Sequence, residues 1–184
     1  MRVITGLARG RRLKTLPGPD IRPTSDMVRE ALFDIFQARY DIEGASFLDL
    51  YAGTGAVGIE ALSRGAAKAT FVEESPRTAQ VIRANLTHTG LSSNAQVILG
   101  DVLKTLPKLA QSGQTYDIIF MDPPYKGGLA EATLEEVIKL GLAKGTVIAE
   151  YHAKYPLPDE LDNFRCYKKA RYGQKILKFY GYGD

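Results

Sequence analysis

The sequence predicts an α/β protein built on a mostly parallel sheet, and three observations carry that reading. Short apolar runs of strand length alternate with segments of helical period, the pattern of consecutive βα units. One of these runs ends in a glycine-rich turn, Gly53-Thr54-Gly55-Ala56-Val57-Gly58, that opens directly into a helix. Four acids, Asp49, Glu73, Asp101 and Asp122, fall at strand ends, and ligands of an open parallel sheet bind beyond the carboxyl ends of its strands.

Taken in order, residues 1–23 read as a short strand pair followed by a turn region, Pro17-Gly18-Pro19 and then Arg22-Pro23. Thr24-Ser25-Asp26 supplies caps for a helix in which Val28, Leu32, Ile35 and Phe36 recur at helical spacing. Residues 46–51 form a buried strand, and the glycine turn leads into a helix that runs to about Ser63. Residues 69–73 are a second strand, after which Ser75-Pro76 starts a helix with a capping hydroxyl and a proline at its first position. A third strand, 95–99, ends at Gly100-Asp101, and a fourth, 116–121, is closed by Asp122-Pro123-Pro124-Tyr125. A helix over roughly 128–140 and a strand at 146–150 follow. Two last strands, about 164–171 and 174–181, meet at Tyr172-Gly173 and suggest an antiparallel edge. No repeat, low-complexity tract or long linker divides the chain. The expected organisation is one domain, 1–184, with a basic N-terminal extension over 1–23 and a core over 24–184.

The chain's 184 residues match the ordinary size of one domain, roughly 100–200 residues. With 45% hydrophobic and 24% charged residues, the composition excludes a disordered chain, a collagen-like repeat and a disulfide-stapled mini-protein. The single cysteine, Cys166, can form neither an internal disulfide nor a multi-cysteine zinc site, and reads as a small, partly buried hydrophobe. The start of the chain lacks an apolar signal core, and no apolar run approaches the ~18 residues of a membrane helix. A cytoplasmic protein with no membrane association and no metal is expected.

The net charge is only +3, but it is unevenly spread. Residues 1–14 carry Arg2, Arg9, Arg11, Arg12 and Lys14 with no acid, and residues 164–180 carry Arg165, Lys168, Lys169, Arg171, Lys175 and Lys178 with no acid. These hold eleven of the 24 basic residues and leave 13 basic against 21 acidic elsewhere, a balance of −8. Basic ends interleaved with Tyr167, Tyr172, Phe179 and Tyr180 suit a phosphate-contacting surface. The competing reading of the tail is an edge strand protected by lysines.

Gly53-x-Gly55-x-x-Gly58, with Glu73 twenty residues after Gly53, matches the spacing of a dinucleotide-binding turn and its ribose-binding acid. By itself it indicates an adenosine-containing cofactor, or a tight turn with no ligand. Asp49 helps to choose. A carboxylate inside the first strand sits badly beside a pyrophosphate and well beside an ammonium or a loop amide, and S-adenosyl-L-methionine carries an ammonium where NAD does not. Asp101 can accept the adenine amino group or cap its own helix. Asp122-Pro123-Pro124-Tyr125 is the more specific signal. Consecutive prolines freeze an extended backbone and fix the Pro123 carbonyl. The Asp122 carboxylate and that carbonyl can accept both N–H bonds of an exocyclic base amine, whose lone pair then faces a methyl donor. Tyr125 can stack on the base, worth about 1–3 kcal/mol, and a base in a folded RNA or a duplex must be flipped out to arrive there.

On these residues the chain resembles a class I S-adenosylmethionine-dependent methyltransferase, closest to the RsmD family of 16S rRNA guanine-N2 methyltransferases. The resemblance is carried by Asp49 to Ala66, Asp122 to Tyr125, the start Arg2-Val3-Ile4-Thr5-Gly6 with Arg9-Gly10-Arg11-Arg12-Leu13, and Arg22-Pro23-Thr24-Ser25-Asp26 with Val28 to Phe33. It spans nearly the whole chain. It implies a Rossmann-like, seven-stranded sheet with an antiparallel last strand and helices on both faces, a monomer, and methylation of one guanine N2 on an assembled or assembling small ribosomal subunit. Carried over by position, Asp49, Gly53, Thr54, Gly55, Glu73 and Asp101 line the cofactor pocket. Asp122, Pro123 and Tyr125 hold the guanine, and Arg9, Arg11, Arg12 and Arg22 lie near RNA phosphates. Met27 and Ser75 depart from the pattern, Met27 standing where an arginine is common and Ser75 where an acid often follows the ribose-binding glutamate. Two other readings remain open from the residues: adenine-N6 methylation of DNA or RNA, and a non-catalytic RNA-binding assembly factor on the same fold.

Overall fold

The computed structural model describes residues 1–18 and 24–183, so Arg22 lies outside the described residues. Five helices and eight strands follow one another as α1 (Asp26–Gln37), β1 (Ser46–Leu50), α2 (Ala56–Ser63), β2 (Lys68–Glu73), α3 (Pro76–Thr89), β3 (Ala95–Leu99), α4 (Val102–Gln111), β4 (Tyr116–Met121), α5 (Leu129–Lys139), β5 (Ala143–His152), β6 (Glu160–Leu161), β7 (Phe164–Tyr172) and β8 (Lys175–Tyr182). The helix starts follow local chemistry. The Ser25 and Ser75 hydroxyls accept the backbone N–H of Val28 and Thr78, and the Asp101 carboxylate accepts that of Lys104, each bond satisfying a donor that the first turn cannot use.

The strands form one sheet in the order β3-β2-β1-β4-β5-β8-β7-β6. The first five are mutually parallel, and β8 runs antiparallel between β5 and β7. The sheet thus has eight strands rather than the expected seven. The addition is β6, a two-residue edge strand on β7, too short to leave a period-two pattern in the sequence.

Alternation along β1 sends Phe47 to one face and Leu48 and Leu50 to the other. Leu32, Phe33, Ile59 and Ile82 of α1 to α3 close the first face. Leu106, Leu109, Leu134 and Val137 of α4 and α5 close the second. Helices therefore cover both faces, and the carboxyl ends of the parallel strands open at one edge.

The expected N-terminal strand pair is present in short form: Arg2 and Arg12 make an antiparallel bridge, flanked by backbone bonds from the Val3 N–H to the Arg11 carbonyl at 3.0 Å and from the Leu13 N–H to the Met1 carbonyl at 3.1 Å. The residues between the paired stretches bond to α2. The Ile4 and Thr5 N–H groups donate to the Glu60 carboxylate at 2.9 and 3.0 Å, and the Leu7 N–H donates to the Ser63 carbonyl at 2.8 Å. Gly6 permits this approach: its φ is +86°, and a Cβ there would stand 1.7 Å from the Ser63 oxygen. Glu60 is buried and also meets Arg64 at 3.0 Å and Arg29 at 3.8 Å, so it receives the donors its burial requires.

Candidate active site

Asp49 stands in β1 with Phe71 of β2 and Phe120 of β4 as its register partners. Its side chain is 1% exposed, and its Oδ2 accepts the Gly58 N–H at 2.9 Å. Burial among apolar neighbours pushes its carboxyl well above the usual carboxylate range; the Gly58 bond opposes this and the nearby Glu73 charge adds to it. Gly58 has to lack a side chain, since a Cβ would lie 2.4 Å from the Phe71 ring.

The turn between β1 and α2 passes through left-handed conformations at Tyr51, Gly53 and Gly55, with φ of 58°, 57° and 81°. Tyr51 is the exception among them, a bulky residue in a region that glycine prefers. Its hydroxyl is tied to Thr133 Oγ1 at 2.7 Å. Glu73 closes the turn from the side: its Oε2 accepts the Gly53 N–H at 2.9 Å and its Oε1 the Ser75 N–H at 3.0 Å. Each Glu73 oxygen keeps acceptor capacity for one more donor. Ser75 therefore has a local job, capping α3 and donating to Glu73.

Opposite the turn, Asp122 follows β4. Its N–H reaches the Leu50 carbonyl at 3.5 Å, and the two prolines then end the ladder. Pro123 is buried while Pro124 and Tyr125 are exposed. The Tyr125 ring meets His152 edge-on at 5.0 Å, and His152 meets Tyr155 at 6.3 Å. Burial, followed by repulsion from Glu150, raises the Asp122 carboxyl well above its ordinary value, while Lys175 lowers it and Asp49 raises it further.

A cavity of about 810 Å³ joins these parts, lined by Asp49, Gly53, Thr54, Glu73, Asp122, Pro123 and Tyr125 among others. Seven of the candidate residues thus share one space. Gly55 lies behind the loop, where a Cβ would press on Ile82 at 3.1 Å and on Ile59 and Phe71 at 3.4 Å. Asp101 is exposed, caps α4 and stands outside the lining, with the adjacent Val102 inside it.

The basic residues divide differently from the sequence expectation. Arg9, Arg11 and Arg12 are exposed and outside the cavity, and the Arg11 guanidinium donates to the His88 carbonyl at 2.8 Å. Met27 is likewise on the outer surface, 65% exposed. The C-terminal stretch is not a uniform phosphate-facing surface. Phe179 and Tyr180 are buried core, and Lys178 is buried against Asp159 at 2.6 Å. Arg165, Lys168, Lys169 and Arg171 remain at the surface.

Four residues were not singled out for the site from the sequence. Thr24 and Lys175 line the cavity. Glu150 lies behind them, paired with Lys175 at 2.8 Å and accepting from Thr24 Oγ1 at 3.3 Å. Asn85 is fully buried and ties the N-terminal segment to the glycine turn, accepting from the Lys14 N–H at 2.7 Å and donating to the Thr54 carbonyl at 3.0 Å. Glu150 carried the same signal as the four acids first noted, an acid near the end of a parallel strand.

A family model described as conserved hypothetical protein 95 matches residues 1–181. Ribosomal RNA small subunit methyltransferase D of Escherichia coli K12 is 37% identical over 182 residues, covering 98% of this chain and 89% of that protein. The chain belongs to the RsmD family. The solved structure "Putative methyltransferase yhhF from Escherichia coli" is 35% identical, with a TM-score of 0.86 and coverage of 99% of this chain and 97% of that one. A more distant structure, "SMU.776, a putative methyltransferase complexed with SAH", has a TM-score of 0.67 at 19% identity, covers 88% of this chain and 50% of that one, and shares the fold. The RsmD-family architecture is the Rossmann-like class I methyltransferase fold that the sequence predicted. Among the described residues, no helix is long and apolar enough to cross a membrane and no group of three His, Cys, Asp or Glu side chains is placed to hold a metal.

Proposed function

We propose that this chain transfers a methyl group from S-adenosyl-L-methionine to the exocyclic N2 of a guanine in 16S rRNA, on an assembled or assembling small ribosomal subunit. The observation that carries the reading is the shared cavity: a carboxylate-lined glycine turn on one wall and Asp122-Pro123 on the other. Membership of the RsmD family, with its relative named for the small-subunit rRNA, supports the substrate.

The residues present fit the cofactor. Asp49 is sealed from water, and its charged form is penalised by burial, so a cationic ammonium beside it relieves a cost that a pyrophosphate would increase. The free acceptor capacity of Glu73 suits ribose hydroxyls. When bound, S-adenosylmethionine supplies an electrophilic methyl group on a sulfonium sulfur. The chain's own work is positional. Asp122 and the Pro123 carbonyl accept the two N2–H bonds, which turns the nitrogen lone pair out of the ring and toward the cofactor wall. Tyr125 stacks on the base. As the N2–C bond forms and the methyl–sulfur bond breaks, its electron pair staying on sulfur, one N2 proton would pass to an Asp122 oxygen, which its raised basicity favours. Alignment of two bound reactants can supply most of the acceleration.

The test is transfer of labelled methyl from S-adenosylmethionine to undermethylated small subunits, followed by nucleoside digestion. The label is expected in N2-methylguanosine, with less label on naked 16S rRNA. Label in N6-methyladenosine, or none from protein that binds the cofactor, contradicts the assignment.

A further inference from the structure

Glu150 and Lys175 are charged and paired, Lys175 in the wall of the cavity and Glu150 behind it, yet the reaction as described does not use them. Strand register explains how they arrive there. Met121 pairs with Ala149 across β4 and β5, so the next rung places Asp122 beside Glu150. Across β5 and β8, Glu150 pairs with Leu177 and His152 with Lys175. Lys175 is therefore a diagonal neighbour of Glu150 on the same face. Its ammonium reaches back to the Glu150 carboxylate at 2.8 Å, with the two side chains 23% and 0% exposed. Among the described residues, the charged groups facing Asp122 come from three strands: Asp49 of β1, Glu150 of β5 and Lys175 of β8. Two are acids, and Lys175 is the cation.

We propose that Lys175 and Glu150 are a positioning pair for the catalytic carboxylate: Glu150 anchors the Lys175 ammonium inside the cavity while its own charge repels that of Asp122, and Lys175 offsets that repulsion so that Asp122 stays the charged proton acceptor that methyl transfer needs. The inference rests on the reading of Asp122 as the amine acceptor. Stability alone is a weak reason for such a pair, because well-packed apolar residues serve a core as well as or better than buried ions. The electrostatics agree with the geometry. Lys175 lowers the Asp122 carboxyl against burial and two acidic neighbours, and the ammonium is itself raised by Glu150 first among its charged neighbours and then by Asp122.

The experiment follows the side-chain carboxyl carbons by ¹³C NMR through a pH titration of the ligand-free protein, with Asp122 assigned from its missing signal in Asp122→Asn. Lys175→Met is expected to move the Asp122 midpoint up, and Glu150→Gln, which keeps an acceptor for Thr24, to move it down. Lys175→Met leaves Glu150 unpaired and invites unfolding. The uncharged pair Glu150→Gln with Lys175→Met avoids this, and its midpoint is expected between those of the single variants. In methyl transfer, Lys175→Met is expected to lose about tenfold in kcat at neutral pH, to recover at higher pH, and to be partly rescued by Lys175→Arg. An Asp122 midpoint unmoved by Glu150→Gln, or a double variant outside the range of the single variants, overturns the proposal, as does a kcat loss in Lys175→Met that is equal at every pH. The NMR reading does not depend on the target base. Opposed midpoint shifts with N6-methyladenosine as product would leave the pair standing and remove the guanine assignment.

Discussion

The two walls of the cavity restrain their carboxylates in different ways. On the cofactor wall, Asp49 and Glu73 are held by backbone N–H groups of Gly58, Gly53 and Ser75. On the substrate wall, Asp122 is surrounded by side-chain charge, Glu150 and Lys175, brought in by neighbouring strands. The first arrangement is local to one turn and the strand beside it. The second depends on three strands being in register. A wall made from backbone binds one kind of ligand with little adjustment, whereas a wall made from side-chain charges can tune the basicity of the carboxylate proposed to accept the amine.

The comparison breaks most sharply at Asp122. Asp122→Ala is expected to lower kcat by at least about a hundredfold, measured as label transferred in single turnover. Asp49→Asn is the matching test of the other wall. The amide can still accept from Gly58 but cannot pair with an ammonium, and cofactor affinity is expected to fall about tenfold or more by calorimetry. The same change should stabilise the ligand-free protein. The raised Asp49 carboxyl means that the folded chain binds more protons than the unfolded one between the ordinary carboxylate value and its own higher value. Stability from this group is therefore gained on acidification through that window and lost as pH rises through it. Asn carries no such penalty, and Tm near neutrality is expected to rise by a few degrees, about 2–4 °C per kcal/mol for a chain of this size.

Cofactor affinity of the wild-type chain sharpens the point with a smaller effect. With the proposed pairing of the charged Asp49 and the cofactor ammonium, affinity should decline as pH falls through the raised carboxyl value and stay flat in Asp49→Asn. A wild-type affinity independent of pH would mean that the ammonium lies elsewhere. Smallest of all, charge removal at Arg9, Arg11 and Arg12 should weaken subunit binding and flatten its salt dependence, by about 0.7–0.9 in the logarithmic slope per lost phosphate contact. An unchanged slope would show that these exposed arginines face away from RNA.

The same contrast explains how much the sequence disclosed. The order of strands and helices and the antiparallel end of the sheet were legible, and so was the gathering of Asp49, Gly53 and Glu73 at one cavity, because they lie within one βαβ stretch. Asp122 was legible through its prolines. Glu150 and Lys175 were not assigned to the site. Their meeting requires β8 to enter the sheet antiparallel beside β5, which puts the first residue of β8, not its last, at the ligand edge. Lys178 misled for a related reason. A basic run in an edge strand reads as a surface, yet β8 is an interior strand, flanked by β5 and β7. The N-terminal strand pair was legible, but the docking of the Ile4, Thr5 and Leu7 N–H groups onto Glu60 and Ser63 of α2 was not, because those partners lie more than fifty residues along the chain.

The most direct measurement of the two-walled account is calorimetric binding of S-adenosylmethionine to Asp122→Ala and Asp49→Asn beside the wild-type chain. Asp122→Ala is expected to keep the wild-type affinity within about twofold while Asp49→Asn loses about tenfold or more. Equal losses in both variants, or a loss confined to Asp122→Ala, would contradict the separation of the cavity into a cofactor wall and a substrate wall.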